Sequence, residues 1–166
     1  MFPIKPITRE GVAAALQKAE RYRLINDPSA AESICLDVLA VDPSNQQGLV
    51  DLILSISDQF MSGPAVQYAR ASELLPRLTD EYKRTYYAGI LCERRARAHR
   101  ALGVAGSAEM AYEWIRRAME HYEAAERMRP KGNDEAILRW NTCVRILERD
   151  RQLKAPVERE YEPSFE

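Results

Sequence analysis

The chain offers little to metal or nucleophilic chemistry. Its 166 residues include two histidines and three cysteines. His99 and His121 form no His-x-x-x-His pair, no Cys-x-x-Cys occurs, and no acidic loop has cation-binding spacing. "GVAG" (103–106) has neither the lysine nor the spacing of a phosphate loop. Cys35, Cys92 and Cys143 are odd in number and far apart, which fits reduced thiols in a cytoplasmic protein better than a disulfide frame. No apolar run reaches the roughly 18 residues that span a membrane. The most apolar segment, "LVDLILSISDQF", is broken by Asp51 and Asp58. The start "MFPIKPITREG" lacks a basic stretch followed by a long apolar one, so no secretory leader is expected. A net charge of −1 argues against a dedicated nucleic-acid binder, which is usually basic overall. Seven glycines and sparse β-branched residues disfavour strands and turn-rich folds.

What is abundant is Ala, Glu, Arg and Leu, all helix formers. Thr8 suits an N-cap, and Val12, Leu16, Ala19, Tyr22 and Arg23 recur at helical spacing, so a first helix is expected from Thr8 to about Ile25. In "NDPSAAE", Asp27 can cap, Pro28 fits a first helical position, and Ser29 with Glu32 has capping-box spacing. Ala31, Ile34, Cys35, Val38 and Leu39 then share a face until Asp42-Pro43 stops the helix, because proline lacks an N–H and clashes with the preceding turn. A third helix is expected from Asn45 to about Phe60. A fourth runs from Pro64 to about Leu78, ended or kinked early by Pro76. A fifth runs from Asp80 to Leu102. Ser107 is expected to cap a sixth, with Ala111, Trp114, Ile115, Ala118, Tyr122 and Ala125 in one stripe. Asn133 is expected to cap a seventh reaching about Leu153. The organisation is thus an extended segment (1–7), one all-α domain (8–154) and an extended acidic, aromatic tail (155–166).

One break recurs. "AVDPSNQQGLVDLI" and "RMRPKGNDEAILRW" each join a helix end, a proline, a small polar turn with Asn, and a new helix. This resembles the tetratricopeptide repeat, a 34-residue helix–turn–helix unit. With Pro43 at the terminal proline, Ala19 falls on the small position of the inner helix and Tyr22 on its aromatic. Ala31, Cys35 and Val38 fall on the outer helix. One repeat on, Ala65, Ala69 and Ser72 take the outer positions. With Pro130 ending the third unit, Ala118, Tyr122 and Ala125 fit its outer helix. Small residues matter there because two helices approach closely only where no bulky side chain sits at the crossing. The family's early Trp is here Ala15 and its Leu is Lys18. Pro76 sits one place short, and the stretch from Thr79 to Pro130 is half a repeat too long, leaving the third inner helix without a register.

The resemblance implies a right-handed superhelical array of antiparallel helix pairs, about three units with the seventh helix as a solvating cap. It also implies a concave face that binds a protein segment. In this register that face would present Leu16, Glu20 and Arg23, then Val50, Leu54 and Ser57, then Lys83, Tyr86, Ile90, Arg94 and Arg97. Chaperone-binding members clamp a terminal carboxylate with Lys, Asn and Arg; Leu16, Glu20 and Leu54 are not clamp residues, so that ligand is not expected.

Cys35, Cys143 and Cys92 read as small core residues, although arginines beside Cys92 act to lower a thiol's pKa. His121 reads as a rim residue. In "ERRARAHRAL", Arg94, Arg97 and Arg100 share a helix face while Arg95 points elsewhere. Two readings stand: a solvated face paired with Glu93 and neighbouring acids, or a groove for an acidic segment. The tail "APVEREYEPSFE" spaces Val157, Tyr161 and Phe165 by four among glutamates, as a disordered end or as a docking segment. The expected function is a non-catalytic, cytoplasmic adaptor or scaffold without cofactor or metal. Its partner would be another protein, with an acidic segment as one candidate ligand and no membrane; an enzyme or nucleic-acid binder using the arginine strip is the weakest reading. The alternative is an accessory subunit of a larger enzyme complex, anchored through its termini.

Overall fold

Residues 2–155 are described by a computed structural model. Among them the chain is all-helical: α1 Val12–Leu24, α2 Pro28–Val41, α3 Gln46–Ser57, α4 Pro64–Ser72, α5 Glu81–Leu102, α6 Ser107–Arg127 and α7 Glu135–Arg149. Short 3-10 turns at Phe60–Ser62 and Leu75–Arg77 flank α4. Residues 2–8 have no regular structure, and the tail residues Val157, Tyr161 and Phe165 lie outside the described part.

The turn chemistry works locally. Asp27 accepts from the N–H of Ala30 and Pro28 opens α2. The Asn45 side chain accepts from the N–H of Gly48 at 2.8 Å and donates to Asp42 at 2.9 Å, so Asp-Pro-Ser-Asn closes α2 and opens α3 as one device. Asp80 caps α5 through the N–H of Lys83.

Several helix ends differ from expectation. Thr8 caps only a turn, and α1 starts after Gly11. The Ser29–Glu32 box does not form: Ser29 donates to Asp27, while Glu32 is drawn to Gln59 and Arg70. α3 stops at Ser57, where Ser55 and Ser57 donate back to the carbonyls of Asp51 and Leu54. α4 ends at Ser72, and Pro76 falls inside the following 3-10 turn. Gly106, not Ser107, precedes α6, and Ser107 is buried. α7 ends at Arg149, because Asp150 leaves the helix to meet Arg100 and Leu153 folds into the core.

Each helix packs on the next, α1 also touches α3, and the longest contact joins α5 to α6. One core cluster lies under α1–α4 and the face of α5 carrying Leu91 and Ala98. A second joins α5, α6 and α7 with Leu153. Ala19, Ala31, Cys35, Ala118, Tyr122 and Ala125 are all fully buried, Tyr22 is half-buried, and Pro43 and Pro130 are exposed just beyond helix ends. Where α5 meets α6, a Cβ on Gly89 would sit 2.6 Å from the Tyr122 ring. Only glycine permits that approach, and it sets how closely α5 lies on α6 at this point.

Candidate protein-binding groove

Two charge clusters lie between the odd-numbered helices. In the first, Asp58, just past α3, receives Arg23 of α1 at 2.7 Å and Arg94 of α5 at 2.6 Å. Arg94 also donates to the carbonyl of Leu54 at 3.0 Å and to the Ser57 hydroxyl. Burial lowers the pKa of Arg94, Asp58 opposes that shift, and Arg23, Arg139 and Arg97 add to it. Two guanidiniums therefore meet at Asp58, with those of Arg97 and Arg139 near enough to act on Arg94, and the charge of each persists because arginine does not deprotonate in proteins.

The second cluster centres on Glu93 of α5, which is 0% exposed. Its carboxylate accepts from Arg97 at 2.7 Å, from Arg139 of α7 at 3.1 Å and from the Tyr122 hydroxyl at 2.9 Å. Burial works against the charge on Arg139, but Glu93 and Tyr122 outweigh it and raise its pKa. Burial first, and then Glu93, push the Tyr122 phenol upward, so it stays a donor. The Nε of Arg139 is buried without a hydrogen-bond partner.

Three cavities open along these clusters. One of about 270 Å³ is bounded by Glu20, Arg23, Leu24, Asn26, Pro28 and Asp58. A second of about 260 Å³ is bounded by Ser57, Asp58, Phe60, Met61, Arg94 and Arg97. A third of about 250 Å³ lies between α5, α6 and the end of α7, with Glu93, Arg97 and Arg100 among its walls. Asp58 is common to the first two, and Arg97 to the last two.

Of the residues expected at the groove, Glu20, Arg23, Arg94 and Arg97 border these openings. Leu54 is half-buried beneath them and packs on both core clusters. Lys83 is half-buried, about three turns before Arg94 on α5. Tyr86 and Ile90 belong elsewhere. Tyr86 stacks on Tyr82 at 5.8 Å and meets Tyr87 edge-on at 5.2 Å, and Ile90 is 5% exposed in the α5–α6 core. They sit one to two turns before Arg94 on α5, where α6 and α7 cover the helix. Arg94, Arg97 and Arg100 each have an acid, namely Asp58, Glu93 and Asp150. Arg95 does point elsewhere: its guanidinium lies 4.6 Å from the ring centre of Tyr68 and 4.1 Å from that of Trp114.

Sequence reasoning missed Asp58 as an anchor, Arg139 and Asp150. Arg139 left a trace, since Ala136, Arg139, Cys143 and Ile146 step at three and four, putting a cation on an apolar stripe. All three cysteines are buried. Burial, with Asp51, pushes the Cys35 thiol up to about 12, and burial, with Glu93, does the same to Cys143. Burial also raises Cys92, outweighing Arg117 and Arg95. Burial lowers the pKa values of His99 and His121. Among the described residues no helix is long and apolar enough to cross a membrane, and no group of three His, Cys, Asp or Glu is placed to hold a metal ion. The chain matches no family model, no curated protein and no solved structure.

Proposed function

We propose that the chain is a non-catalytic cytoplasmic adaptor, a tetratricopeptide-like superhelical array whose concave groove binds an acidic segment of another protein. The observation that carries this reading is the guanidinium ribbon. Arg23, Arg94, Arg97 and Arg139 come from three odd-numbered helices and converge on only two carboxylates, Asp58 and Glu93. The surplus of positive charge sits in a concave, partly desolvated place, where attraction for carboxylates is stronger than on an open surface. The ion pairs hold the guanidiniums in position, and each guanidinium retains further N–H donors. Alternating helices facing one groove, with small residues buried at the crossings, is the arrangement such repeats use.

The test is capture of a partner from native lysate, identification by mass spectrometry, and measurement of its affinity for purified protein. Arg97→Glu is the informative variant, because this side chain is 57% exposed; its reversal also sets a second carboxylate beside the buried Glu93, so the fold of the variant is checked by circular dichroism before binding is read. Affinity should fall about tenfold or more, and high salt should weaken binding. Unchanged affinity in both Arg97→Glu and Arg23→Glu would rule the groove out. A second reading is favoured by Phe2 and Ile4, which are 99% and 86% exposed. They suit an accessory subunit held in a larger enzyme complex by its terminus; removal of residues 2–7 would then release it.

A further inference from the structure

The cavity between α5, α6 and the end of α7 differs from its two neighbours. Ala96, Ala101, Ala111, Ile115, Ile146 and Leu153 form most of its wall. These side chains present no polar atom to a guest, so water inside gains few hydrogen bonds. The charged groups stand at its edges. Glu93 is already engaged by three donors, Arg97 faces the groove, and Arg100 is tied to Asp150 at 2.6 Å and to Gln152 at 2.8 Å. The small side chains of Ala96, Ala101 and Ala111 create the space: larger residues at these three positions would fill it.

Size narrows the guest. Drug-sized ligands and cofactors occupy roughly 300–1,000 Å³, whereas an apolar cavity of about 150 Å³ accepts a benzene ring. A cavity of about 250 Å³ therefore suits one large apolar side chain and is small for a cofactor. Charge narrows it further. Along the whole groove five guanidiniums (Arg23, Arg94, Arg97, Arg100, Arg139) face four carboxylates (Glu20, Asp58, Glu93, Asp150), and at this cavity Arg97, Arg100 and the Arg139 bonded to its Glu93 wall outnumber Glu93 and Asp150, which favours a guest with acidic neighbours.

We infer that this cavity is the anchor pocket of the groove: it takes a leucine- or phenylalanine-sized side chain from a partner segment flanked by acidic residues. The inference rests on the groove reading and adds to it a specific apolar requirement. The flanking carboxylates reach Arg97 on the groove side and Arg100 on the other, while the apolar side chain displaces water from the alanine-lined wall.

The experiment uses two fluorescein-labelled, end-capped peptides, Glu-Glu-Leu-Glu-Glu and Glu-Glu-Ala-Glu-Glu, titrated by anisotropy against the full chain. Burying a leucine side chain instead of alanine should tighten binding about tenfold or more. Ala101→Leu should cancel that ratio, since Ala101 is exposed at the cavity mouth and its replacement fills the space without disturbing the core. Arg100→Gln should weaken both peptides alike and leave the ratio intact. Equal binding of the two peptides, or a ratio that survives Ala101→Leu, overturns the anchor pocket. If equal binding is also lost in Arg97→Glu, the groove reading stands and the pocket alone fails. Absence of binding by either peptide overturns the pocket as well, while the groove reading is decided separately by the captured partner. Self-association abolished by Ala101→Leu would assign the cavity to a second copy of this chain and likewise overturn the proposal.

Discussion

Replacing Glu93 with glutamine keeps the shape of the side chain and removes its charge, so it isolates what the buried carboxylate does. Glu93 is 0% exposed and holds Arg97, Arg139 and Tyr122 together. Removing one partner of a buried ion pair typically costs about 3–5 kcal/mol, because the remaining charge stays buried and unpaired. Here the penalty is smaller. Arg97 and Arg139 are 57% and 28% exposed and recover hydration, and Tyr122 can still donate to the amide oxygen. A loss of about 2–3 kcal/mol follows. For a chain of this size, each kcal/mol moves the melting temperature by roughly 2–4 °C, so Glu93→Gln should melt about 4–12 °C lower. Differential scanning calorimetry and urea titration measure it. Glu123→Gln is the control, since its pair with Arg127 at 3.3 Å is 54% and 73% exposed and should contribute under about 0.5 kcal/mol. In a double-mutant cycle, Tyr122→Phe should lose less in the Glu93→Gln background than in the native one. If Glu93→Gln and Glu123→Gln behaved alike, the assignment of Glu93 as a buried hub would be wrong.

Gly89→Ala gains helix propensity of about 1 kcal/mol but drives a methyl into the buried Tyr122 ring, which costs about 1–3 kcal/mol or more. A net loss of stability is expected in urea titration, and a stabilised variant would mean that α5 and α6 do not meet at this point. Alkaline pH should unfold the chain through its buried thiols and half-buried phenols. Cys35, Cys143, Tyr86 and Tyr87 all hold their protons to about 12 when folded, against ordinary values of 9.0 for the thiols and 10.0 for the phenols. Their folded pKa values are raised, so their contribution is complete below pH 9 and drains away as pH climbs from 9 to 12. Stability that stayed flat across that window, by urea midpoint at successive pH values, would contradict their burial.

Much of the helix inventory was legible because its signals are local. Asp42, Pro43 and Asn45 act on backbone groups within three residues, so their effect needs no knowledge of the fold. The stripe Ala111–Ile115–Ala118–Tyr122–Ala125 reads directly as a buried face. The failures share a cause. Glu32 has the spacing of a capping box, yet Gln59 and Arg70 sit far along the chain and compete for it. α7 has the composition to reach Leu153, yet the pull of Arg100 on Asp150 ends it sooner. Tyr86 and Ile90 share a periodicity with Arg94, but α6 and α7 cover the first part of α5 and leave the region of Arg94 and Arg97 open, and no single-helix pattern carries that information.

By itself the sequence determined which segments are helical, though not each boundary: few glycines, many helix formers, and proline–asparagine breaks at which the chain stops and restarts. It also determined which residues are small enough to sit at crossings. Tertiary structure alone decided which charges meet. Glu93 and Arg139 are 46 residues apart, and Arg23 and Asp58 are 35 apart, and no local rule pairs them. It also decided that three alanines leave a cavity beside the ribbon, because empty space depends on the side chains of three helices at once. Helix formation is governed by interactions a few residues long, whereas a groove comes from the packing of elements distant in the chain.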